Sequence, residues 1–435
     1  MTTGTEAPAA VSRAAVVWAV GMFGYVLAVM QRTTFGVAGL DAAERYGINP
    51  GALSAFVFLQ VAVYIAAQLP GGLLVDRWGP RTVLVLGGGL LAAGQLLLAF
   101  APALPFVVLA RIVVGAGDAV MFVAVLGLLP HWFPPRRVPL ITQFTGILGQ
   151  LGQILSAVPF LALLHARGWS TAFAAAAAAS ALAAALALAV VRNGPRGTWE
   201  PAPAVSPRDI ARQVRGVWQR PGTRLGFFGH MGTQFSMMVF SLLWGVPYLV
   251  SAQGLSPAEA GRLVTLFVVC AILIGPVIGV LTARHPMRRS WLVLGIIAAD
   301  VTAWTAVLAV SDPAPRWLLV LLVVVLAAGG PGSVVGFDIA RTSNPSPNLG
   351  VAQSIVNLGG FLASLLVLAT MGALLDALGG FTPEAFRVAW LVQYPVWLVA
   401  IVGVLITRRQ ARRLDAARGV VPRPIREVVT ARRQA

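Results

Sequence analysis

The chain has 435 residues, of which 58% are hydrophobic and only 11% charged, with a mean hydropathy of +0.82. Soluble domains carry about 25% charged residues, so this chain lacks the polar cover of a water-soluble protein and is an integral membrane protein. Its net charge of +17 comes from arginine as the sole strongly basic residue type, lies mostly in loops and ends rather than in a nucleic-acid-binding patch, and fits a GC-rich bacterial source; the one cysteine, Cys270, excludes an intramolecular disulfide and a cysteine-rich metal site.

In chain order, a short polar lead runs into a long apolar stretch with no small-residue cleavage site, which reads as a retained first helix rather than a signal peptide. Charge and turn punctuation then predicts twelve spans, each near the ~20 residues that cross a bilayer. They are continuous rather than alternating, so helices are expected and not a barrel. The first six fall near 14–36, 51–75, 81–101, 105–130, 139–165 and 169–191. The second six fall near 225–251, 261–283, 290–310, 317–340, 350–375 and 388–407. The expected domains are a six-helix bundle over 1–192, a linker over 193–224, a second bundle over 225–407 and a basic tail over 408–435.

Arginine placement orients the chain. With the N-terminus inside, 25 arginines fall in cytoplasmic segments and five outside (Arg45, Arg167, Arg262, Arg316, Arg387). Both termini are expected in the cytoplasm, in the inner membrane of a bacterial cell. The halves echo each other at a spacing near 210 residues: "QFTGILGQLGQ" from Gln143 aligns with "QSIVNLGGFLA" from Gln353, and "GLLVDRWGPR" from Gly72 aligns loosely with "GVLTARHPMR" from Gly279. The implied architecture is an all-α membrane protein of twelve transmembrane helices in two pseudo-symmetric six-helix bundles.

In the linker, "SPRDIARQVRGVW" carries a helix start: Ser206 can cap, Pro207 suits the first helical position and Asp209 has capping-box spacing. Ile210, Val214 and Trp218 share one face with Arg212 and Arg215 off it, which reads as a helix lying on the cytoplasmic leaflet or, alternatively, as a disordered linker. The basic tail reads as lying near anionic lipid or as solvated.

The loop after span two reads "GGLLVDRWGPRTVL" and resembles the G-x-L-x-D-R-x-G-x-R signature of the major facilitator superfamily through Gly72, Leu74, Asp76, Arg77, Gly79 and Arg81. "RIVVGAGDA" in span four resembles that family's R-x-x-x-G-x-G pattern through Arg111, Gly115 and Gly117. The resemblance implies the major facilitator fold and a gate in which Asp76 accepts hydrogen bonds from a helix N-terminus of the other half, that of span eleven. The alternative is that Asp76, Arg77 and Arg81 merely anchor the loop. In the second half the matching aspartate is Ala283, which weakens a paired gate there.

Charges inside spans cost at least ~2.5–3.5 kcal/mol each on insertion scales and usually mark pathways. Arg32 in span one, and Arg111 and Asp118 in span four, are the candidates in the first half. Arg111, Gly115 and Asp118 lie on one helical face at i, i+4 and i+7. Asp118 is expected about 10 Å further inward than Arg111, and Arg32 roughly 24 Å from the start of its span, at a depth like that of Arg111. Two cations above one carboxyl suggest an anion clamp over a proton-binding site, because guanidinium matches carboxylate bidentately. Arg32 snorkelling to the interface, and Arg111 with Asp118 as a structural pair, are the bland alternatives. Tyr25, one heptad from Arg32, is expected to face the same cavity, with Gln31 adjoining it.

These charges are similar to those of the anion:cation symporter branch, which moves organic anions with protons or sodium. There the first span commonly ends Asp-Arg, and the fourth carries an arginine with an acidic residue seven positions later; Arg32, Arg111 and Asp118 match, as does the loop "WFPPRR". Gln31 stands where the branch has aspartate and removes one protonatable group.

Weaker candidates are Gln150 and Gln153 in span five, Gln234 in span seven and Asn357 in span eleven, all on helices expected to face a cavity. Trp244 and Tyr248, at i and i+4, read as an outer gate or an interfacial aromatic belt. Asp338 and Arg341 read as a latch between the halves, Asp300 as a structural hydrogen bond and His230 as a satisfied polar residue. Neither a nucleophile with its base nor a metal-ligand cluster is present, which argues against an enzyme, and no output domain supports a receptor. The expectation is a monomeric secondary transporter taking up a small organic anion with a proton or sodium, in contact with membrane lipid and without cofactor. Proton-antiport efflux of drugs or metabolites, or carriage of an inorganic anion such as nitrate, are the competing readings.

Overall fold

The computed structural model describes residues 8–47, 50–195, 199–201, 207–310, 313–417 and 419; among these the ordered elements are all helices. Ser206, part of the linker, and the tail beyond Gly419 lie outside the described residues. Among the described residues, eleven helical segments are long and apolar enough to cross a membrane. They are Arg13–Thr34, Phe58–Ala99, Leu104–Trp132, Val138–Arg167, Trp169–Val190, Pro221–Ala252, Glu259–Arg284, Pro286–Ala309, Arg316–Ser343, Ser346–Ala377 and Pro383–Ala417.

The 42-residue segment Phe58–Ala99 accounts for the difference from twelve, since it contains the expected spans two and three. Helix continues through the signature loop except at Gly79, whose backbone (φ 80°, ψ 157°) is non-helical and breaks the rod. Only glycine adopts that conformation without strain. The space a Cβ would take is filled by the Asn193 side chain, which also accepts a hydrogen bond from the Arg81 backbone N–H at 2.8 Å. Spans are numbered one to twelve below, with two and three meeting at Gly79.

Spans one to six pack mainly on one another, and spans seven to twelve do likewise. In lipid there is no hydrophobic drive between helices, so small residues and buried polar contacts decide the packing. The second half holds an aromatic core in which Trp304 and Trp390 rings lie 4.2 Å apart, with Tyr248 and Phe386 against them. The halves meet along span two against span eleven, and span five against spans eight and ten. At the first of these seams Gly72 and Gly350 face each other so closely that a Cβ on either would strike the other's carbonyl oxygen.

Spans five and seven carry π-helical turns. Span five runs Val138–Gly149, Leu151–Leu155, a π-helical turn Ser156–Phe160 containing Pro159, and Leu161–Arg167. Span seven has π-helical turns at Phe240–Trp244 and Tyr248–Ala252 around Pro247. Proline removes a backbone donor and clashes with the preceding turn, which is what these wider turns accommodate.

Candidate functional site

Helical side chains lean toward the N-terminus of their own helix. Arg32 stands near the end of span one and therefore leans back toward the middle of the bundle. Span four packs against span one, and Asp118 leans back toward Arg111. The two side chains converge. Arg32 Nε donates to one carboxylate oxygen of Asp118 at 2.7 Å, and Nη2 to the other at 2.9 Å. The pair is largely enclosed, with side-chain exposures of 20% for Arg32 and 1% for Asp118. Asp118 thus sits beside Arg32, where simple rise along the helices had put it deeper than both arginines.

Arg111 is fully buried, and the charge of Asp118 acts on it across the same helix face. The expected clamp of two open guanidinium groups is not assembled in this arrangement: Asp118 occupies the fork of Arg32, and Arg111 is enclosed by helices. Tyr25 is buried, with its ring 5.0 Å from Phe122 and against Gly149 of span five. Gln31 points the other way. Its amide donates to the Ala176 carbonyl at 3.2 Å and to the Ser180 hydroxyl, both on span six. Consecutive helical residues are about 100° apart, so neighbours in sequence need not share a site.

Tyr64 of span two connects this site to the other half, and sequence reasoning missed it. The Arg32 guanidinium lies 4.8 Å from the centre of the Tyr64 ring, within range of a cation–π interaction. The Tyr64 hydroxyl accepts a hydrogen bond from Asn357 Nδ2 of span eleven at 3.1 Å, and its ring is 4.6 Å from Phe361. The signal was present as Gln60, Tyr64 and Gln68 at i, i+4 and i+8, a polar stripe on an apolar helix, and all three are buried. A second aromatic run crosses the halves: Phe122 meets Phe337 at 5.3 Å, and Phe337 meets His230 at 5.1 Å.

Of the remaining candidates, Gln234 is buried near Gly360 and donates to Met238 Sδ at 3.3 Å. Gln150 is exposed and accepts from Gln153, so these two satisfy each other. His230 accepts from the Gly360 backbone N–H at 3.1 Å, the satisfied role expected. Tyr248 is buried in the aromatic core of its own half and accepts from Gln253 at 2.9 Å, so it does not form an outer gate with Trp244. The π-helical turns rotate it off the i, i+4 face. Asp338 is bonded by Arg341 of the same helix at 3.1 Å, and Arg289 of span nine donates to the Asp338 backbone carbonyl at 3.3 Å. That cluster ties helices of one half together and is not a latch between halves. Asp300 is fully buried, and neither carboxyl oxygen has a hydrogen-bond partner among the described residues, in place of the structural hydrogen bond expected. No group of three or more His, Cys, Asp or Glu among the described residues is placed to hold a metal ion.

At the signature loop, Asp76 accepts from the backbone N–H of Gly350 at 2.6 Å and of Val351 at 3.0 Å. These are first-turn amides of Leu349–Ala377, where a helix leaves its donors unsatisfied and its dipole favours an anion. Arg77 is exposed, while Arg81 Nη2 donates to the Leu188 carbonyl at the end of span six at 2.6 Å.

The sequence profile described as Major Facilitator Superfamily matches residues 21–244 and 226–435. A probable galactarate/D-glucarate transporter of Bacillus subtilis is 22% identical over 394 residues, covering 80% of this chain and 83% of its own. A methylenomycin A resistance protein of Streptomyces coelicolor is 24% identical over 409 residues, covering 81% and 84%. Among solved structures, a bacterial homologue of the iron transporter ferroportin in an outward-facing state superposes with a TM-score of 0.72 at 14% identity, covering 90% of this chain and 99% of that one.

Proposed function

Because the chain belongs to the Major Facilitator Superfamily, and so is a multi-pass membrane transporter rather than an enzyme, we propose that it moves a small organic anion by alternating access, coupled to a proton at Asp118. The observation that carries this reading is the bidentate Arg32–Asp118 pair. A protonated Asp118 releases the Arg32 fork, and an incoming carboxylate takes the same two N–H donors. Proton without anion leaves a buried guanidinium unpaired; anion without proton meets the charge of Asp118. Both half-loaded states carry a penalty of several kcal/mol, which favours the empty and doubly loaded carrier. The name of the galactarate/D-glucarate relative supports an organic anion as the cargo. Arg111 contributes a second positive charge, and Tyr25, Gln234, Gln150 and Asn357 supply polar contacts as the cavity opens.

Asp76, with Gly72, Gly79, Arg77 and Arg81 shaping its loop, acts as the gate: it holds span eleven against span two and lets go when the halves rock apart. The arginine count supports placing this end, and both termini, in the cytoplasm.

Proteoliposomes test the reading. An imposed proton gradient is expected to drive uptake of galactarate or a related organic anion, and Asp118→Asn is expected to abolish the drive while leaving counterflow exchange. Accumulation by Asp118→Asn equal to the parent would overturn it. The methylenomycin A resistance relative favours a second reading, efflux by proton antiport. In that case proton and cargo compete, and cargo movement out of vesicles is accompanied by proton entry.

A further inference from the structure

The linker helix Pro207–Gln219 does more than join the halves. Its inner face is fixed to the second half. Val217 is buried, Val214 packs on the core, and the Trp218 ring meets Phe227 of span seven edge-on at 5.2 Å. Gln213 Nε2 donates to Asn348 Oδ1 at 2.9 Å. Asn348 immediately precedes the helix whose Gly350 and Val351 amides bond Asp76. A displacement of the linker helix therefore reaches the Asp76 contact through two residues of backbone.

The outer face has a different character. Arg208, Arg212 and Arg215 are exposed, and Arg220 follows just past the helix end, also exposed. The one acid, Asp209, pairs with Arg212 at 2.7 Å and leaves a strong positive excess. Arg77, Arg81, Arg136 and Arg137 are exposed at the same end of the molecule. Trp218, exposed and amphipathic, belongs at the depth of lipid headgroups. Guanidinium groups at that depth complement phosphate oxygens, whereas the C-terminal sequence, itself rich in arginine, offers them no complementary charge.

We propose that the arginine face of the linker helix binds anionic phospholipid headgroups and, through Gln213 and Asn348, sets how firmly Asp76 holds span eleven. Lipid contact pins the helix in its docked position and favours the closed arrangement. The inference rests on the gating role of Asp76 and not on the cargo, so its test omits any substrate.

The full chain, with Cys270→Ser, Trp78→Cys and Pro345→Cys, is spin-labelled across the two loops and reconstituted in nanodiscs of phosphatidylcholine with or without phosphatidylglycerol. The expected result is a rise in the closed-to-open ratio of roughly tenfold with phosphatidylglycerol, less than the full attraction of three arginines would give. Arg208→Gln with Arg212→Gln and Arg215→Gln is expected to keep the phosphatidylcholine distribution and lose the response. Gln213→Ala is expected to lose the response although its arginines are intact. Equal distributions in the two lipids, or a full response in the triple variant, would overturn the proposal. A response that survives in Gln213→Ala would also overturn it, because the path to Asp76 would then run elsewhere. Failure of anion uptake in the parent, with the lipid response intact, would count against the transport reading alone.

Discussion

The Tyr64 hydroxyl accepts a hydrogen bond from the Asn357 side chain at 3.1 Å, and the same ring lies 4.8 Å beneath the Arg32 guanidinium. One residue of span two is thus in contact both with the buried ion pair and with the opposite half. On the proposed reading, a cargo that draws Arg32 away from Asp118 also disturbs the surface on which the halves meet.

Removing either end of that contact has a measurable signature. Tyr64→Phe keeps the ring under Arg32 and loses one buried hydrogen bond, a loss of about 1 kcal/mol. In a double-mutant cycle with Asn357→Ala, the two changes are expected to couple by about 1 kcal/mol in thermal or denaturant stability. Strict additivity would show that the bond does not form.

The ion pair predicts a pattern in stability rather than a single loss. Arg32→Ala leaves the Asp118 carboxylate buried without its partner and is expected to destabilise by about 3–5 kcal/mol. Arg32→Ala with Asp118→Ala removes both charges and is expected to recover most of that stability while transport stays absent. A double variant no more stable than Arg32→Ala would contradict the pairing.

At the other end of the seam, Gly350→Ala places a Cβ against the Gly72 carbonyl and 2.9 Å from Asp76 Oδ1. It alters no charge, yet it is expected to prevent closure and reduce transport at least tenfold. Asp76→Asn is expected to reduce it through loss of the anion at the helix N-terminus. Normal transport in Gly350→Ala would remove the gate from the account.

Asp300 supplies a control. Its carboxyl is fully buried and without hydrogen-bond partners among the described residues. Replacing an unsatisfied buried polar group by an apolar one of similar size is neutral or stabilising. Asp300→Leu is therefore expected to melt no lower than the parent and to transport normally. A transport defect with unchanged melting would move Asp300 from the scaffold to the mechanism.

The spans, the signature loop and the three charges were legible in the sequence because each rests on a local pattern: apolar length, glycine at a turn, a charge where lipid is expected. What was not legible depends on direction. Gln31 adjoins Arg32 yet faces Ser180, since a step of one residue turns the helix by about 100°. Tyr64 looked like any aromatic until its partner, 293 positions away, was placed beside it. The linker was read as a helix on the cytoplasmic leaflet or as disordered, and neither reading carried the contacts of Val217 and Gln213 that seat one face of the helix on the second half while its arginines stay exposed. The depth of Asp118 was misjudged because helical rise counts backbone and ignores the reach and lean of long side chains.

Ala283 stands where the second half would carry its own Asp76, and the nearby Arg289 spends its hydrogen bonds on Thr282, Asp338 and Thr342 within that half. On the proposed reading, a duplicated machine has kept one lock and discarded its twin. An idle carrier then rests shut at the Asp76 end, with its opposite mouth turned toward whatever arrives. The gradients still decide which way cargo finally accumulates; the missing aspartate decides on which side the empty carrier waits.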